Sequence, residues 1–406
     1  MKTKLTIILL FILCSTAGFA QQYGWVNISN NLPNSTGTVS LSDMYWINDN
    51  EGWICSGING EIYHTNNGGQ TFTIQTTQNS TNAIYMLNSV EGYAGGYNGR
   101  VYRTTNGGTT WNAIGSIGST LLSICFPPSS ATGYCCGYTG KIYSITSTGV
   151  SSMSSGVTAN LRSISFPSSG LGWTCADGII LHFDGAIWYE QDSPSESYNS
   201  IYMVNNNTGW AVGSPGIIVN TTDGGLNWNY QSNPDISKRD LNDVFYLNAS
   251  EGWTVGTDGI ILHTTNGGAL WKIEGAGITT NMLRAVQFTS SKNGYVLGNK
   301  GTLLKFGLLT DAEELPTQPA GFTLEQNYPN PFKESTTIDF FLETPSQVVL
   351  EVFSIRGEKI CKLTNEKKSP GKYSVPFNAK DLPTGIYYYR LQTETGTSAM
   401  KMTLIK

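Results

Sequence analysis

The chain has 406 residues, of which 13% are charged and 46 are glycine, enough for a repeat array plus a smaller module. Its formal charge of −5 is unevenly spread: residues 21–321 hold 20 acidic and 11 basic side chains, residues 322–406 hold 9 and 11. An acidic main body argues against nucleic acid or an anionic lipid surface as a partner, and Gly, Ser, Thr and Asn in place of charge suit strands joined by tight turns.

Residues 1–20 carry Lys2 and Lys4, the apolar run LTIILLFILC and then STAGFA, the pattern of a cleavable secretory signal. The run is too short to span a bilayer as a helix of the mature chain. Anchoring through Cys14 is not expected, because the preceding Leu13 is bulky where lipoprotein signals resemble one another in having a small residue. The mature chain is therefore expected to be exported and soluble, with no membrane span. Loss of the two lysines changes its formal charge from −5 to −7.

From residue 21 to 307 one pattern recurs. A Gly followed by Trp or Tyr stands at Gly52, Gly92, Gly133, Gly172, Gly209, Gly252 and Gly294, a period of about 40 residues that marks stacked supersecondary units. Before each pair lies a first strand such as LRSISF, Leu161 to Phe166, or LNDVFY, Leu241 to Tyr246, whose alternation predicts a half-buried strand. The pair opens a second strand, as in EGWTVG from Glu251. A turn with Asn59-Gly60, Asn98-Gly99, Asp177-Gly178 or Asp258-Gly259 then leads to a third, since such pairs supply the positive φ of a hairpin.

After the third strand comes a phrase that appears four times: HTNNGGQTF, RTTNGGTTW, NTTDGGLNW and HTTNGGALW. Its two glycines permit backbone angles closed to other residues. The side chains of Asn67, Asn106, Asp223 and Asn266 can accept bonds from amides of their own turn, with Thr assisting. Phe72, Trp111, Trp228 and Trp271 then start a fourth strand and bury an apolar face between units. Two copies depart: SITSTGVSSM from Ser144 has lost the phrase, and HFDGAIW from His182 is one residue short.

Each unit thus predicts a four-stranded antiparallel blade, and seven blades predict an all-β propeller. The last unit, GTLLKF from Gly301, has no fourth strand after it, whereas YGWVNIS from Tyr23 matches the fourth strands. The amino-terminal strand is therefore expected to complete the seventh blade and close the ring. The phrase T-x-[DN]-x-G-x-x-W resembles the Asp-box, or bacterial neuraminidase repeat. The whole unit resembles the seven-bladed propellers of the photosystem II assembly and stability factor family.

LLTDAEELPTQPAG, residues 308–321, reads as a linker. Beyond it, residues 322–406 hold short strands suited to a small Ig-like β-sandwich. FTLEQNYPNPF, with Tyr328, Pro329, Asn330, Pro331 and Phe332, followed by GKYSV and by GIYYYRL from Gly385, resembles the type A sorting domain of the type IX secretion system of Bacteroidetes-like bacteria. That resemblance implies passage through the outer membrane by that machinery, then proteolytic removal of the domain and release or attachment at the surface.

Six cysteines follow the signal. Cys55, Cys136 and Cys175 share a repeat position with Val212, Val255 and Leu297, which marks them as small buried hydrophobes, and Cys125 with Cys135 is the pair left for a disulfide. His64, His182 and His263 share the end of the third strand in blades one, four and six, too far apart around a ring for one ion. No metal and no cofactor are expected.

Sialidases, which carry the same box, resemble one another in three convergent arginines, a Tyr nucleophile and an R-I-P near the start. The propeller here has only Arg100, Arg103, Arg162, Arg239 and Arg284 and no R-I-P. A catalytic residue is not assigned. The candidate binding residues are the second positions of the first strands, near one mouth of the channel: Ser42, Asn82, Arg162, Asn199, Asn242 and Arg284, with Leu122 in blade three. Converging polar groups there suit a protein or glycan ligand, against the plainer reading of a solvated rim. The expected function is an exported binding or scaffold module. A sialidase-like glycoside hydrolase and a photosystem assembly role are the alternatives.

Overall fold

The computed structural model describes residues 23–33, 39–57, 59–309, 321–354, 359–394 and 396–405. The signal segment and most of the linker lie outside them. The chain forms two compact units, Met1–Leu309 and Thr310–Lys406.

In the first unit, seven four-stranded antiparallel sheets are built from strands in chain order, except that the last takes its fourth strand from the amino terminus. The first strands are Leu41–Trp46, Thr81–Met86, Leu121–Cys125, Ser163–Ser168, Ser197–Met203, Leu241–Tyr246 and Leu283–Ser290. Each meets the first strand of the next blade, and the seventh meets the first, so they line the axis of a closed ring. Apolar side chains fill the space between blades, as at Leu241 and, after a bulge that shifts the alternation, at Val244 and Tyr246, all buried. Hydrophobic clusters accordingly form between neighbouring sheets, for example Trp210, Val212 and Ile218 of blade five with Val244, Tyr246 and Leu262 of blade six.

The repeated Gly–aromatic pair now has a physical cause. The last large side chain of each first strand lies over the glycine of its own blade: Trp46 on Gly52, Met86 on Gly92, Phe126 on Gly133, Phe166 on Gly172, Met203 on Gly209, Tyr246 on Gly252 and Phe288 on Gly294. A Cβ at any of these glycines would overlap that side chain. On its other face the same side chain receives the aromatic ring of the preceding blade. Tyr295 stacks on Trp46 at 3.4 Å, Tyr134 on Phe166 at 3.9 Å and Trp253 on Phe288 at 3.5 Å, contacts worth roughly 0.5–1.5 kcal/mol each beyond area burial.

The ring closes through Tyr23–Asn27, which pairs antiparallel with Leu303–Leu308 in the register Trp25↔Phe306. Trp25 packs edge-on against Phe288 at 5.7 Å and Phe306 at 5.3 Å. Its indole donates to Glu274 of blade six at 3.3 Å. The hairpin turns take positive φ at Asn59, Asn98 and Asp258, and also at Thr139 and Lys300, which the sequence pattern of Asn-Gly and Asp-Gly pairs did not mark.

The second unit is a β-sandwich. Phe322–Leu324, Ser335–Leu342 and Gly371–Asn378 form one sheet; Lys359–Lys368, Ser346–Ser354, Gly385–Gln392 and Thr397–Leu404 form the other. Ile338 and Phe340 of the first sheet share a core with Val348, Leu350 and Tyr389 of the second.

Candidate functional site

The first strands leave one edge unpaired around the channel, and a buried amide without a partner is costly. Side chains of the preceding blade supply the partners. Asp43 accepts the amide of Ile84 at 2.9 Å, Asp243 that of Val286 at 2.8 Å, Ser163 that of Ile201 at 3.3 Å and Ser165 that of Met203 at 3.0 Å. Gln287 uses both ends of its amide on Trp46, accepting from the backbone N–H at 2.8 Å and donating to the carbonyl at 3.0 Å.

Two of these partners are carboxylates. Burial pushes the Asp43 carboxyl up to about 7, against the lowering effect of the Ile84 amide and with the Asp243 charge adding to the rise. Burial likewise raises Asp243 to about 6. Asp243 also accepts from the Ser200 hydroxyl at 2.8 Å.

At the mouth, most of the candidate residues are tied to the neighbouring blade. Asn82 donates to the Leu121 carbonyl at 3.1 Å, Asn199 to Leu241 at 2.8 Å and Asn242 to Leu283 at 2.7 Å. Ser42 donates to Thr81 at 3.0 Å and Arg162 to Tyr198 at 3.1 Å. All five bonds reach the same place, the carbonyl at the start of the next first strand. Arg162 is further fixed by a bidentate pair with Asp177 at 2.7 and 2.8 Å. Leu122 offers no donor.

Arg284 differs. Its Nε donates to Asn299 at 2.6 Å, the side chain is exposed, and among the described residues no carboxylate lies within ion-pair distance. Lys300, next in chain to Asn299, is also exposed and without an ion pair among the described residues. The structure thus brings the six residues to one rim, yet leaves charge uncommitted at blade seven.

The Asp-box-like turns act between blades. Inside each turn the pattern follows the sequence reading: Asn106 accepts the Thr110 amide at 2.9 Å, and Thr104 accepts the Gly108 amide at 2.8 Å. Asn67, Asp223 and Asn266 repeat the first of these bonds with Thr71, Asn227 and Leu270. Phe72, Trp111, Trp228 and Trp271 are buried.

A glutamine on the outer strand of the preceding blade, or directly after it, completes the clamp. Gln231 donates to the Gly267 carbonyl at 2.8 Å and accepts the Trp271 indole N–H at 3.0 Å. Gln191 does the same for Gly224 and Trp228, and Gln75 for Gly107 and Trp111. In these three turns the second glycine, Gly108, Gly225 or Gly268, makes room for that glutamine, whereas Gly69 of the first turn faces Ile28. Part of this signal is present in the sequence: Gln precedes three of the four phrases, Ile28 precedes the first, and Ile114 or Glu274 stands there where the following blade lacks the phrase.

The six cysteines among the described residues are free thiols. Cys125 pairs in register with Tyr134, so Cys135, one position on, faces the opposite side of its sheet. Cys125 packs with the cluster between blades three and four, Cys135 with that between two and three, and the strand geometry separates the pair singled out for a bridge. The three histidines stack on tryptophans of their own blades, His263 on Trp253 at 4.4 Å, His182 on Trp173 at 4.4 Å and His64 on Trp53 at 4.6 Å.

Residues 184–275 match the family model described as photosynthesis system II assembly factor YCF48, and residues 326–406 match the secretion system C-terminal sorting domain. The chain is a β-propeller with a secretion sorting domain. Among solved structures, YCF48 bound to D1 peptide is similar with TM-score 0.58 and 22% identity, over 72% of this chain and 97% of that one. YCF48 from Cyanidioschyzon merolae is similar with TM-score 0.57 and 19% identity, over 70% and 99%. Virginiamycin B lyase from Staphylococcus aureus, an inactive variant, reaches TM-score 0.61 at 14% identity, over 71% and 100%. At these identities the likeness concerns the fold. No curated protein sequence matches the chain. The sorting domain assigns the propeller to export, and among the described residues no helix is long and apolar enough to cross a membrane.

Proposed function

We propose that the mature chain is an exported binding module: the propeller holds an extended, anionic peptide segment at its mouth near blade seven, and residues 322–406 serve delivery by the type IX machinery. One observation carries the ligand class. Arg284 keeps guanidinium nitrogens free of any carboxylate among the described residues, whereas Arg162 is neutralised by Asp177. A guanidinium fork held by Asn299, the residue before the exposed Lys300, suits a carboxylate. A solved propeller of similar fold was captured with a peptide, which favours a peptide over a glycan. After passage through the outer membrane the sorting domain is removed, leaving the propeller released or held at the surface.

The test has two arms. Deleting residues 322–406 should leave the propeller in the periplasm; secretion of the truncated chain contradicts the export reading. Immobilised mature chain should retain peptides from digested cell envelope that share an acidic residue. Turnover of a fluorogenic glycoside panel without peptide retention would favour the hydrolase instead.

A further inference from the structure

The segment Asn327–Phe332 divides into side chains that the fold consumes, Asn327, Asn330 and Phe332, and side chains that it leaves exposed, of which Tyr328 is the only aromatic one. Asn327 is 1% exposed. Its amide donates to the Thr336 hydroxyl at 2.8 Å and the Pro329 carbonyl at 3.1 Å, and its backbone N–H donates to the Tyr389 hydroxyl at 2.8 Å. Asn330 accepts the Thr403 amide at 2.8 Å. Phe332 is 1% exposed and packs edge-on against Phe377 at 6.3 Å, while its backbone N–H donates to Thr403 at 3.0 Å and its carbonyl accepts from Ile405 at 2.8 Å.

Tyr328 sits between these anchors and is 83% exposed. Its backbone is fixed on both sides, donating to the Thr337 carbonyl at 2.9 Å and accepting the Thr337 amide at 3.0 Å. The other exposed large hydrophobic side chains of this unit, such as Phe341, Tyr388 and Ile405, are 36–41% exposed. Pro329 and Pro331 beside it are exposed as well. Packing therefore places no demand on this ring, although it lies within the stretch that matches the sorting model from residue 326 onward. A Tyr on a fixed backbone loses little entropy on binding and offers a large apolar face with a polar tip, the properties of an interface anchor.

We propose that Tyr328 is the residue by which the export machinery reads this domain, inserting its ring into an apolar pocket of a receptor protein that accepts a hydrogen bond from the phenol. The proposal rests on the export reading and can fail separately from it. The test uses the full chain in its native host, comparing wild type, Tyr328→Ala, Tyr328→Phe and the deletion of residues 322–406, with secreted and periplasmic chain quantified by immunoblot. Tyr328→Ala should lower secretion by about tenfold, the equivalent of losing one good anchor contact, with an unchanged thermal midpoint of the purified chain. Tyr328→Phe should keep most of the secretion.

Wild-type secretion of Tyr328→Ala while the deletion is retained would overturn the assignment and leave export intact. Secretion of both would overturn both. A fall in the thermal midpoint of Tyr328→Ala would make the residue structural and equally overturn the assignment.

Discussion

Trp210 of blade five lies flat on Tyr246 of blade six, with ring centroids 3.5 Å apart and planes 12° from parallel, and Tyr246 in turn covers Gly252. Three layers from two blades are thus stacked without space for another carbon. Gly252→Ala should destabilise the propeller by about 1–3 kcal/mol through overpacking, read from urea unfolding. Gly170, whose added Cβ would meet nothing within 4 Å, is the control, and Gly170→Ala should stay within about 0.5 kcal/mol of wild type.

Gln231→Ala removes the donor to Gly267 and the acceptor of the Trp271 indole together. A cost of about 1–3 kcal/mol is expected, because the buried indole N–H loses its partner. The same substitution at Gln75, whose bond to the indole is longer at 3.4 Å, should cost less, and equilibrium unfolding of the two variants measures the difference.

Asp43 gives the propeller a pH dependence opposite to that of a surface carboxylate. Its folded pKa is raised from 3.8 to about 7, so the folded state binds the proton more tightly than the unfolded chain does. The associated stability is fully present below pH 3.8 and is lost as pH rises through 7. Asp243, raised to about 6, acts with the same sign. The thermal midpoint should therefore rise as pH falls from 8 to 5, and Asp43→Asn should flatten that slope even if it lowers the midpoint overall. A midpoint that falls steadily over this window would contradict the buried placement of both carboxyls.

Trp25→Ala empties the contact between the amino-terminal strand and Phe288 and Phe306, at a cost of about 3 kcal/mol. Removing Tyr23–Asn27 altogether would bare the Leu303–Leu308 edge, and light scattering should then report self-association through that strand.

How much of this was legible in the sequence varies with the range of the interaction. The blades were readable because a Gly and an aromatic recur at a fixed spacing, and the partner that forces the glycine, such as Tyr246 over Gly252, lies only six residues away. The Gln231 clamp is harder to read because its two ends lie 36 and 40 residues off, on different blades. At the mouth, the position of Asn82, Asn199 and Asn242 was apparent from the repeat. Their bonding to the next blade was not, since an Asn at a rim and an Asn used as a latch have the same sequence. Tyr328 is a similar case: the motif names it, but only the fold separates it from the buried Asn327 and Phe332.

The measurement that bears most directly on the proposed function is the affinity of the mature chain for acidic peptides retained from the envelope digest, compared with that of Arg284→Ala. The account predicts binding that weakens with added salt and falls by about tenfold on the substitution, the loss expected for one charge-assisted contact. Equal affinity of the two chains, or no retained peptide at all, would contradict it.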